Sequence, residues 1–278
     1  MAINLVTRYS NKVLDQLSVT SVTAVPFNTN YDAEFIGANA VKIFTNDIPP
    51  LNDYSTAGVT NRYGTPADLG DTVQTHTMTQ KKSTTFIIDK TNNTDQLMIK
   101  NASKAIADWF LHQLMPFKDK YTLAKMVAAT TPLEWDEADA ESLYYKILDA
   151  DEKLDEAKAP QGGRIIWATP EAIKILKKDE NFIGNNDLAQ GQVKFRGQVG
   201  EVDGKPIIKA IKAHMPEGTM VILAHPSAVI SPLKIEEATI HANPPGLSGH
   251  LGEALVYFDS FVLEGREGLI ASVKNVTA

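Results

Sequence analysis

The spacing of apolar and polar residues divides the chain into segments of different character. Residues 1–40 mix the two without a sustained period, so we expect an extended arm with at most a short helix over residues 11–17, a frayed terminus being the alternative. Residues 40–44 form a short apolar run that predicts a strand. The following segment, residues 51–82, has only 9 hydrophobic residues among 32 and is too polar to form a core by itself.

The second half of this polar segment has the composition of a strand. Over residues 72–80, β-branched residues alternate with polar residues such as Gln74 and His76, and neither face of the strand is apolar. If the chain turns near residues 60–64, the segment is a hairpin whose arms of about 16 residues would each extend roughly 50 Å. Such a hairpin is poorly specified within one monomer, so we expect it to lie on another chain, a disordered surface insertion being the alternative. Deleting residues 52–80 should then leave a folded monomer.

A long amphipathic helix is predicted after the hairpin. Thr94 and Asp95 are candidate N-caps, and apolar residues recur at spacings of three and four over residues 98–114. Pro116 should kink or end this helix, because proline lacks the N–H group that an internal helical position donates. The helical pattern then resumes over residues 121–129.

From residue 132 onward, predicted strands and helices alternate. Asp136 is the candidate N-cap of an amphipathic helix, and Thr169 with Pro170 opens a second helix. Asp203 and Gly204 lie between two apolar runs, which is typical of a tight hairpin. The remaining predictions are strands over residues 164–168, 199–202, 206–209 and 220–224, a polar loop over 181–192, a turn-rich stretch over 242–252, and a closing hairpin of strands 254–263 and 269–273.

Composition and charge narrow the possible functions. The 278 residues are 43% hydrophobic and 22% charged, values of an ordinary folded protein of one or two domains. The net charge of −7 argues against a dedicated nucleic-acid-binding protein. The chain has no cysteine, which excludes disulfides and thiolate chemistry and is in keeping with a cytoplasmic protein. No apolar run reaches the roughly 18 residues of a membrane span, and no signal peptide is indicated.

The residue types that usually carry catalysis or bind ligands are scattered. The histidines never show the paired spacing of a metal site, the glycines near residue 249 lack the spacing of a phosphate loop, and Ser227 lacks the flanking glycines of a nucleophile turn. The acidic residues within 136–141 fit a helix start better than a catalytic cleft, and the lysine clusters fit solvated faces. We therefore predict no catalytic, cofactor-binding or metal-binding residue and no enzyme. The positions considered were His76, His112, His214, His225, His241 and His250; Gly246, Gly249 and Gly252; and Lys81, Lys82, Lys177, Lys178 and residues 205–212.

The order of these segments resembles that of a known family. An N-terminal arm, a polar hairpin and a long helix are followed by Arg-Ile-Ile-Trp-Ala-Thr-Pro at residues 164–170, a hairpin at 199–209, Met-Val-Ile-Leu-Ala-His-Pro at 220–226 and a closing β-hairpin. This order is similar to that of tailed-bacteriophage major capsid proteins with the Hong Kong 97 fold. The resemblance covers nearly the whole chain.

The resemblance implies an α+β fold with five parts. They are an N-terminal arm (residues 1–40), an extended β-hairpin called the E-loop (41–92), the spine-helix region of the peripheral P-domain (93–135), a central α/β A-domain (136–236) and the C-terminal strands of the P-domain (237–278). It also implies a coat protein that self-assembles, as hexamers and pentamers, into the icosahedral head shell around a double-stranded DNA genome. Assembly would take place in the cytoplasm of a bacterial host.

The resemblance also suggests partners. Family members often begin with a scaffolding segment, and because Met1 lies almost directly on the arm, we expect a separate scaffolding protein, or none, together with a portal protein. The shell would enclose DNA without sequence-specific binding, and no membrane is expected. Some members crosslink a lysine of the E-loop to an asparagine of the P-domain; Lys81 and Lys82 are candidates by position alone, and we do not expect a crosslink.

Two other functions remain open at this stage. An encapsulin-like nanocompartment shell would have the same fold but enclose an enzyme cargo in a bacterial cell. A more remote alternative is an α/β enzyme with an unrecognised site within residues 136–236.

Overall fold

The computed structural model describes residues 21–23, 27–29, 40–57, 60–66, 68–95, 100–136, 142–179 and 198–276. The helix expected at 11–17 and the loop expected at 181–192 lie outside these residues. The strands are β1 Ala40–Asn46, β2 Asp71–Thr77, β3 Gln80–Asp89, β4 Leu133–Trp135, β5 Ile165–Ala168, β6 Gln198–Val202, β7 Lys205–Lys209, β8 Thr219–Ala224, β9 Val229–Ile230, β10 Leu233–Ala242, β11 Gly249–Phe258, β12 Phe261–Val262 and β13 Ile270–Asn275. The helices are α1 Lys90–Asp95, α2 Ala102–Trp109, α3 Met115–Ala128, α4 Leu143–Glu156 and α5 Pro170–Leu176, and a π-helical turn, Phe110–Leu114, joins α2 to α3.

The largest sheet has six strands in the order β4-β13-β8-β5-β7-β6. The pairs β4 with β13 and β5 with β7 are parallel, and the other pairs are antiparallel. α4 and α5 cover one face of the sheet, whereas α3, with Val22 and Phe27 from the N-terminal region, covers the other. Because both faces are covered, all four residues of β5 are buried, which explains its uninterrupted apolar sequence.

Several predicted elements of this body are confirmed. The Thr169 side chain accepts a hydrogen bond from the N–H of Ala172 and caps α5. Asp203 and Gly204 have positive φ angles of 49° and 71°, the backbone of a tight hairpin turn between β6 and β7. The strands expected over 164–168 and 220–224 are β5 and β8. The mixed α+β class is therefore confirmed.

The second sheet, of order β10-β11-β3, differs from the prediction. The predicted turn-rich stretch 242–252 contains the start of β11, and β10 has no predicted counterpart. The predicted closing hairpin is wrong, because β11 pairs with β10 and β3 whereas β13 pairs with β8 and β4. The prediction took the glycines of this stretch as turn residues. Gly252 is instead a strand residue that leaves room for an aromatic neighbour, because a Cβ on it would lie 2.3 Å from the ring of Phe86.

The long helix also starts differently. Asn101 caps α2, whereas Thr94 and Asp95 form the end of the separate short helix α1. The helical segment does not end at Pro116, one of the two outcomes predicted. Pro116 is the second residue of α3 and follows the π-helical turn directly. We attribute its tolerance to this wider turn, which relaxes the regular hydrogen-bonding pattern at the position where proline has no N–H to donate.

The helix α4 starts later than predicted. Its N-cap is Ser142, whose hydroxyl accepts a hydrogen bond from the N–H of Tyr144. Asp136 instead follows β4 directly. Serine and aspartate are both favourable N-caps, so composition alone does not distinguish the two starts.

Candidate assembly surface

A hairpin projects from the body of the protein between β1 and β2. The two strands pair in antiparallel register from Ala40 with Thr77 to Asn46 with Asp71, and residues 47–70 connect them along the chain. The chain reverses between Ser55 and Arg62, where the Ser55 N–H donates to the Arg62 carbonyl at 3.0 Å. This reversal lies close to the predicted turn, but the paired strands have seven residues each, shorter than the predicted arms.

The base of the hairpin is part of the core of its own chain, whereas the sequence predicts a strand with no apolar face that lies on another chain. Val41, Ile43 and Met78 pack in one cluster with Ile230, Tyr257 and Leu263. Deleting residues 52–80 would therefore remove part of a hydrophobic core. The prediction missed this buried face because Gln74 and His76, two of its three residues in β2 and directly after it, are polar, and only Met78 is apolar.

Two buried polar side chains of β2 are satisfied by distant parts of the chain. Gln74 bridges to the backbone of Glu264, donating from Nε2 to its carbonyl at 3.3 Å and accepting its N–H at 3.0 Å. His76 Nε2 lies 3.0 Å from Gln74 Oε1. Burial lowers the pKa of His76, an effect that the Glu264 carboxylate partly opposes. These contacts tether the hairpin to the turn that follows β12.

A buried carboxylate holds the junction between β2 and β3. Asp259, which is 1% exposed, accepts hydrogen bonds from the N–H and the hydroxyl of Thr79 at 2.7 and 2.9 Å. Its other oxygen accepts from the hydroxyl of Tyr121 on α3 at 2.7 Å and from the N–H of Ser260 at 2.8 Å. Thr79 is one of two residues between β2 and β3, so Asp259 fixes the hinge at which the hairpin leaves the body.

The outer part of the hairpin is exposed and carries large apolar side chains. Their exposed fractions run from 43% for Val73 to 100% for Leu51. Four aspartates and one arginine lie between residues 47 and 71, so this part is also acidic. We call this region the hairpin surface; its apolar members are Phe44, Ile48, Leu51, Tyr54, Tyr63, Leu69 and Val73. Exposed apolar side chains concentrated on one projection are typical of an interaction site.

A second exposed surface has the opposite charge. Leu111, Met115 and Phe117 are exposed along the π-helical turn and α3. The ammonium group of Lys82, on β3, lies 4.4 Å from the centre of the Phe117 ring. The ammonium group of Lys118 lies over the ring of Phe258, which contacts Phe117. We call this region the helix surface; its basic members are Lys82 and Lys118. Its lysines complement the aspartates of the hairpin surface.

The structure does not bring the candidate ligand residues together. Within the described ranges, no group of three or more histidine, aspartate or glutamate residues could hold a metal ion. The predicted candidates have separate surroundings: His76 lies at the hairpin base, His214 follows β7, His225 and Ser227 follow β8, and His241 and His250 lie in β10 and β11. In the described part of the chain, no helix has the length and apolar character of a membrane span.

His225 and Ser227 form a local cap. The Ser227 hydroxyl lies 2.7 Å from His225 Nδ1, and His225 Nε2 lies 3.1 Å from the carbonyl of Gly162. Burial lowers the pKa of His225, and the charges of Arg164 and Arg266 act in the same direction. Both ring nitrogens are therefore committed to structural contacts, and we assign this pair no catalytic role.

The lysine candidates are also in structural contacts. Lys81 and Lys82 lie on opposite faces of β3, with Lys81 Nζ 4.9 Å from the centre of the Tyr257 ring. The predicted solvated face over 205–212 is wrong at Lys205. This lysine is 8% exposed and pairs with Asp151 at 2.8 Å and with Asp203 at 2.7 Å.

A buried arginine beside Lys205 has no predicted role. Arg164 is paired with Asp151 and Asp155 at 2.6 Å each, joining β5 to α4. Asp151 thereby receives both cations. The spacing in the sequence gives no signal for this network, because the partners come from three separate elements.

Comparison with known proteins assigns the fold. No protein-family model and no curated protein sequence matches the chain. Among solved structures, one from Mycobacterium phage Che8 is 19% identical, with 97% of this chain and 96% of that chain covered and a TM-score of 0.76. The chain has the fold of phage capsid structures. The capsid structure of the cyanophage P-SCSP1u is 12% identical, with 98% and 93% covered and a TM-score of 0.71. The mature capsid of bacteriophage PhiM1 is 13% identical, with 96% and 92% covered and a TM-score of 0.63.

Proposed function

We propose that the chain is a major capsid protein that self-assembles into the icosahedral head shell around the double-stranded DNA genome of a tailed bacteriophage. The observation that carries this proposal is a capsid fold over almost the whole chain together with a hairpin whose outer apolar side chains are uncovered. Burying one large apolar side chain contributes about 1.5 to 3 kcal/mol. Contact with a second copy would supply that stabilisation several times over.

The two surfaces suggest how neighbouring copies meet. The hairpin surface is acidic and apolar, whereas the helix surface is basic and apolar. A contact between different surfaces of identical chains is head-to-tail, and such contacts close into rings when the rotation between copies allows it. We propose that the hairpin surface of one copy packs on the helix surface of the next, giving hexamers and pentamers.

Engineered cysteines test this contact directly, because the chain has none of its own. In a variant carrying both Leu51→Cys and Met115→Cys, a bismaleimide crosslinker should produce a ladder of covalent oligomers up to five or six chains. Each single-cysteine variant is the matched control and should give at most dimers. A double variant that also stops at dimers in assembled material would contradict the head-to-tail contact.

The finer organisation follows the Hong Kong 97 type. Residues 1–40 would be the N-terminal arm, 41–92 the E-loop, 93–135 and 237–278 the P-domain, and 136–236 the A-domain. Scaffolding and portal proteins would be the partners, and the DNA would be enclosed without sequence-specific binding. Assembly would occur in the cytoplasm of a bacterial host and yield the virion capsid. We expect no enzymatic activity and no covalent crosslink through Lys81 or Lys82.

An encapsulin-like shell would use the same fold. The structures compared above come from phages, which favours the phage head over a cellular compartment. Neighbouring genes distinguish the two: terminase and portal genes would support the phage head, whereas a gene for an enzyme cargo would support the compartment.

A further inference from the structure

One turn of α3 contacts two distant parts of the chain. Asp119, on one side of the helix, binds the N-terminal residues 21–23, and Tyr121, on the other side, binds Asp259 at the hinge of the hairpin. Thr122 adds a second contact to the hinge region, with its hydroxyl 2.8 Å from that of Ser260. The N-terminal contact and the hinge contact are therefore separated by a single rigid element.

The N-terminal contact depends on a buried carboxylate. Asp119 is 1% exposed, and it accepts hydrogen bonds from the Ser21 hydroxyl at 2.7 Å, the Val22 N–H at 3.0 Å and the Thr23 N–H at 3.3 Å. The Thr23 hydroxyl donates a fourth hydrogen bond to it. The Val22 carbonyl accepts from the indole N–H of Trp167 at 2.8 Å. Residues 21–23 thus supply most of the donors that make this buried charge tolerable.

The same carboxylate has an unused neighbour. His214 Nδ1 lies 3.9 Å from Asp119 Oδ2, beyond hydrogen-bond distance, and it is a buried side-chain atom without a hydrogen-bond partner in the described part of the chain. If residues 21–23 leave, Asp119 loses its four donors while still buried, which is strongly unfavourable. A movement of α3 by about 1 Å would bring Asp119 within hydrogen-bond distance of His214. His214 Nδ1 is therefore an alternative donor for Asp119.

We propose that this turn of α3 couples the N-terminal segment to the hairpin. With residues 21–23 docked on Asp119, α3 holds Tyr121 against Asp259 and the hinge is fixed. When the segment leaves, α3 moves toward His214, Tyr121 moves with it, and Asp259 loses its contact to the helix. The hinge at Thr79 then loosens and the hairpin changes direction. The effect of this coupling on assembly rests on the proposed function, whereas the coupling itself is a property of the unassembled chain.

Hydrogen exchange of the unassembled chain tests the coupling at both ends. A Ser21→Ala, Thr23→Val double variant, which removes two of the four donors and keeps the buried carboxylate charged, should speed exchange in residues 21–23 and also at the Thr79 N–H, by about tenfold or more, the equivalent of one hydrogen bond to a charged group. If the double variant does not fold, Ser21→Ala alone removes one of the four donors and also leaves the carboxylate in place. Asp149→Asn on α4 is the matched control and should leave both sites unchanged.

A double-mutant cycle with Tyr121→Phe shows whether the helix transmits the effect. Tyr121→Phe alone should speed exchange at Thr79, and adding the Ser21→Ala and Thr23→Val substitutions should then have little further effect there. Faster exchange confined to residues 21–23, or effects at Thr79 that simply add, would overturn the coupling. Either result would leave the proposed shell function standing, because that function is tested by assembly and not by exchange.

Discussion

Ile48 and Leu51 offer the sharpest test of the hairpin surface. They are 93% and 100% exposed, so truncating them removes almost no contact within their own chain. Ile48→Ala and Leu51→Ala each remove three carbon atoms, worth about 2 kcal/mol each if a neighbouring copy buries them. The double variant should therefore weaken each contact between copies by about 4 kcal/mol, which is roughly a thousandfold in the concentration needed for assembly.

Two measurements on the same protein separate assembly from folding. Light scattering against protein concentration gives the onset of assembly, and urea unfolding of the unassembled chain gives its stability. The free energy of unfolding should change by less than about 0.5 kcal/mol. Tyr145→Ala and Val276→Ala, at exposed positions away from the hairpin, are the matched controls and should assemble as the parent does. An unchanged onset for the Ile48, Leu51 double variant would refute the role of the hairpin surface.

Three further predictions concern the body. Arg164→Met should lower the free energy of unfolding by about 1 to 3 kcal/mol in urea titrations, because the carbonyls of Ala159 and Pro160 lose a donor while Asp151 keeps Lys205 as its partner. Gly249→Ala should be strongly destabilising by thermal melting, since φ is +145° and the new Cβ would lie 2.1 Å from a backbone carbonyl of β3. The lowered pKa values of His76 and His225 mean that the unfolded chain binds more protons below about pH 6.5. Stability in urea should therefore fall as the pH drops from 7.5 to 5, and less steeply in His76→Gln or His225→Asn variants.

Each of these predictions has a contradicting result. Arg164→Met with parental stability would show that the carbonyls of Ala159 and Pro160 are solvated once the arginine is gone. Gly249→Ala with an unchanged melting temperature would mean that the β3 and β11 strands separate there without cost. A stability that stays level or rises between pH 7.5 and 5, with both histidines present, would contradict the lowered pKa values.

Elements with a strong local pattern could be predicted from the sequence. The strands β5 and β8 are apolar throughout because both faces are buried, and the turn at Asp203 and Gly204 has residues that accept positive φ. The strand β10 could not be found in this way. Residues 236–242 are exposed on both of its faces, so burial imposes no alternation on its side chains.

The assembly surface was only half predictable for a similar reason. The polar composition of the segment predicts a projecting hairpin, and this prediction does not depend on which distant residues the segment contacts. The buried roles of Gln74 and Asp259 depend on residues 190 and 180 positions away in the chain, and no local spacing records such distances. The buried role of Asp259 has one local indication in the sequence. Asp259 directly follows the apolar run that ends at Phe258, and a carboxylate next to a buried strand needs hydrogen-bond partners.

The central claim is that copies of this chain close into a shell, and electron microscopy tests it most directly. The chain should be produced together with the products of its neighbouring genes and compared with a variant in which residues 48–69 are replaced by a short turn. Closed particles of uniform size are expected for the full chain, and folded, unassembled protein is expected for the variant. Only compact monomers from the full chain, or intact shells from the variant lacking the hairpin loop, would contradict the claim.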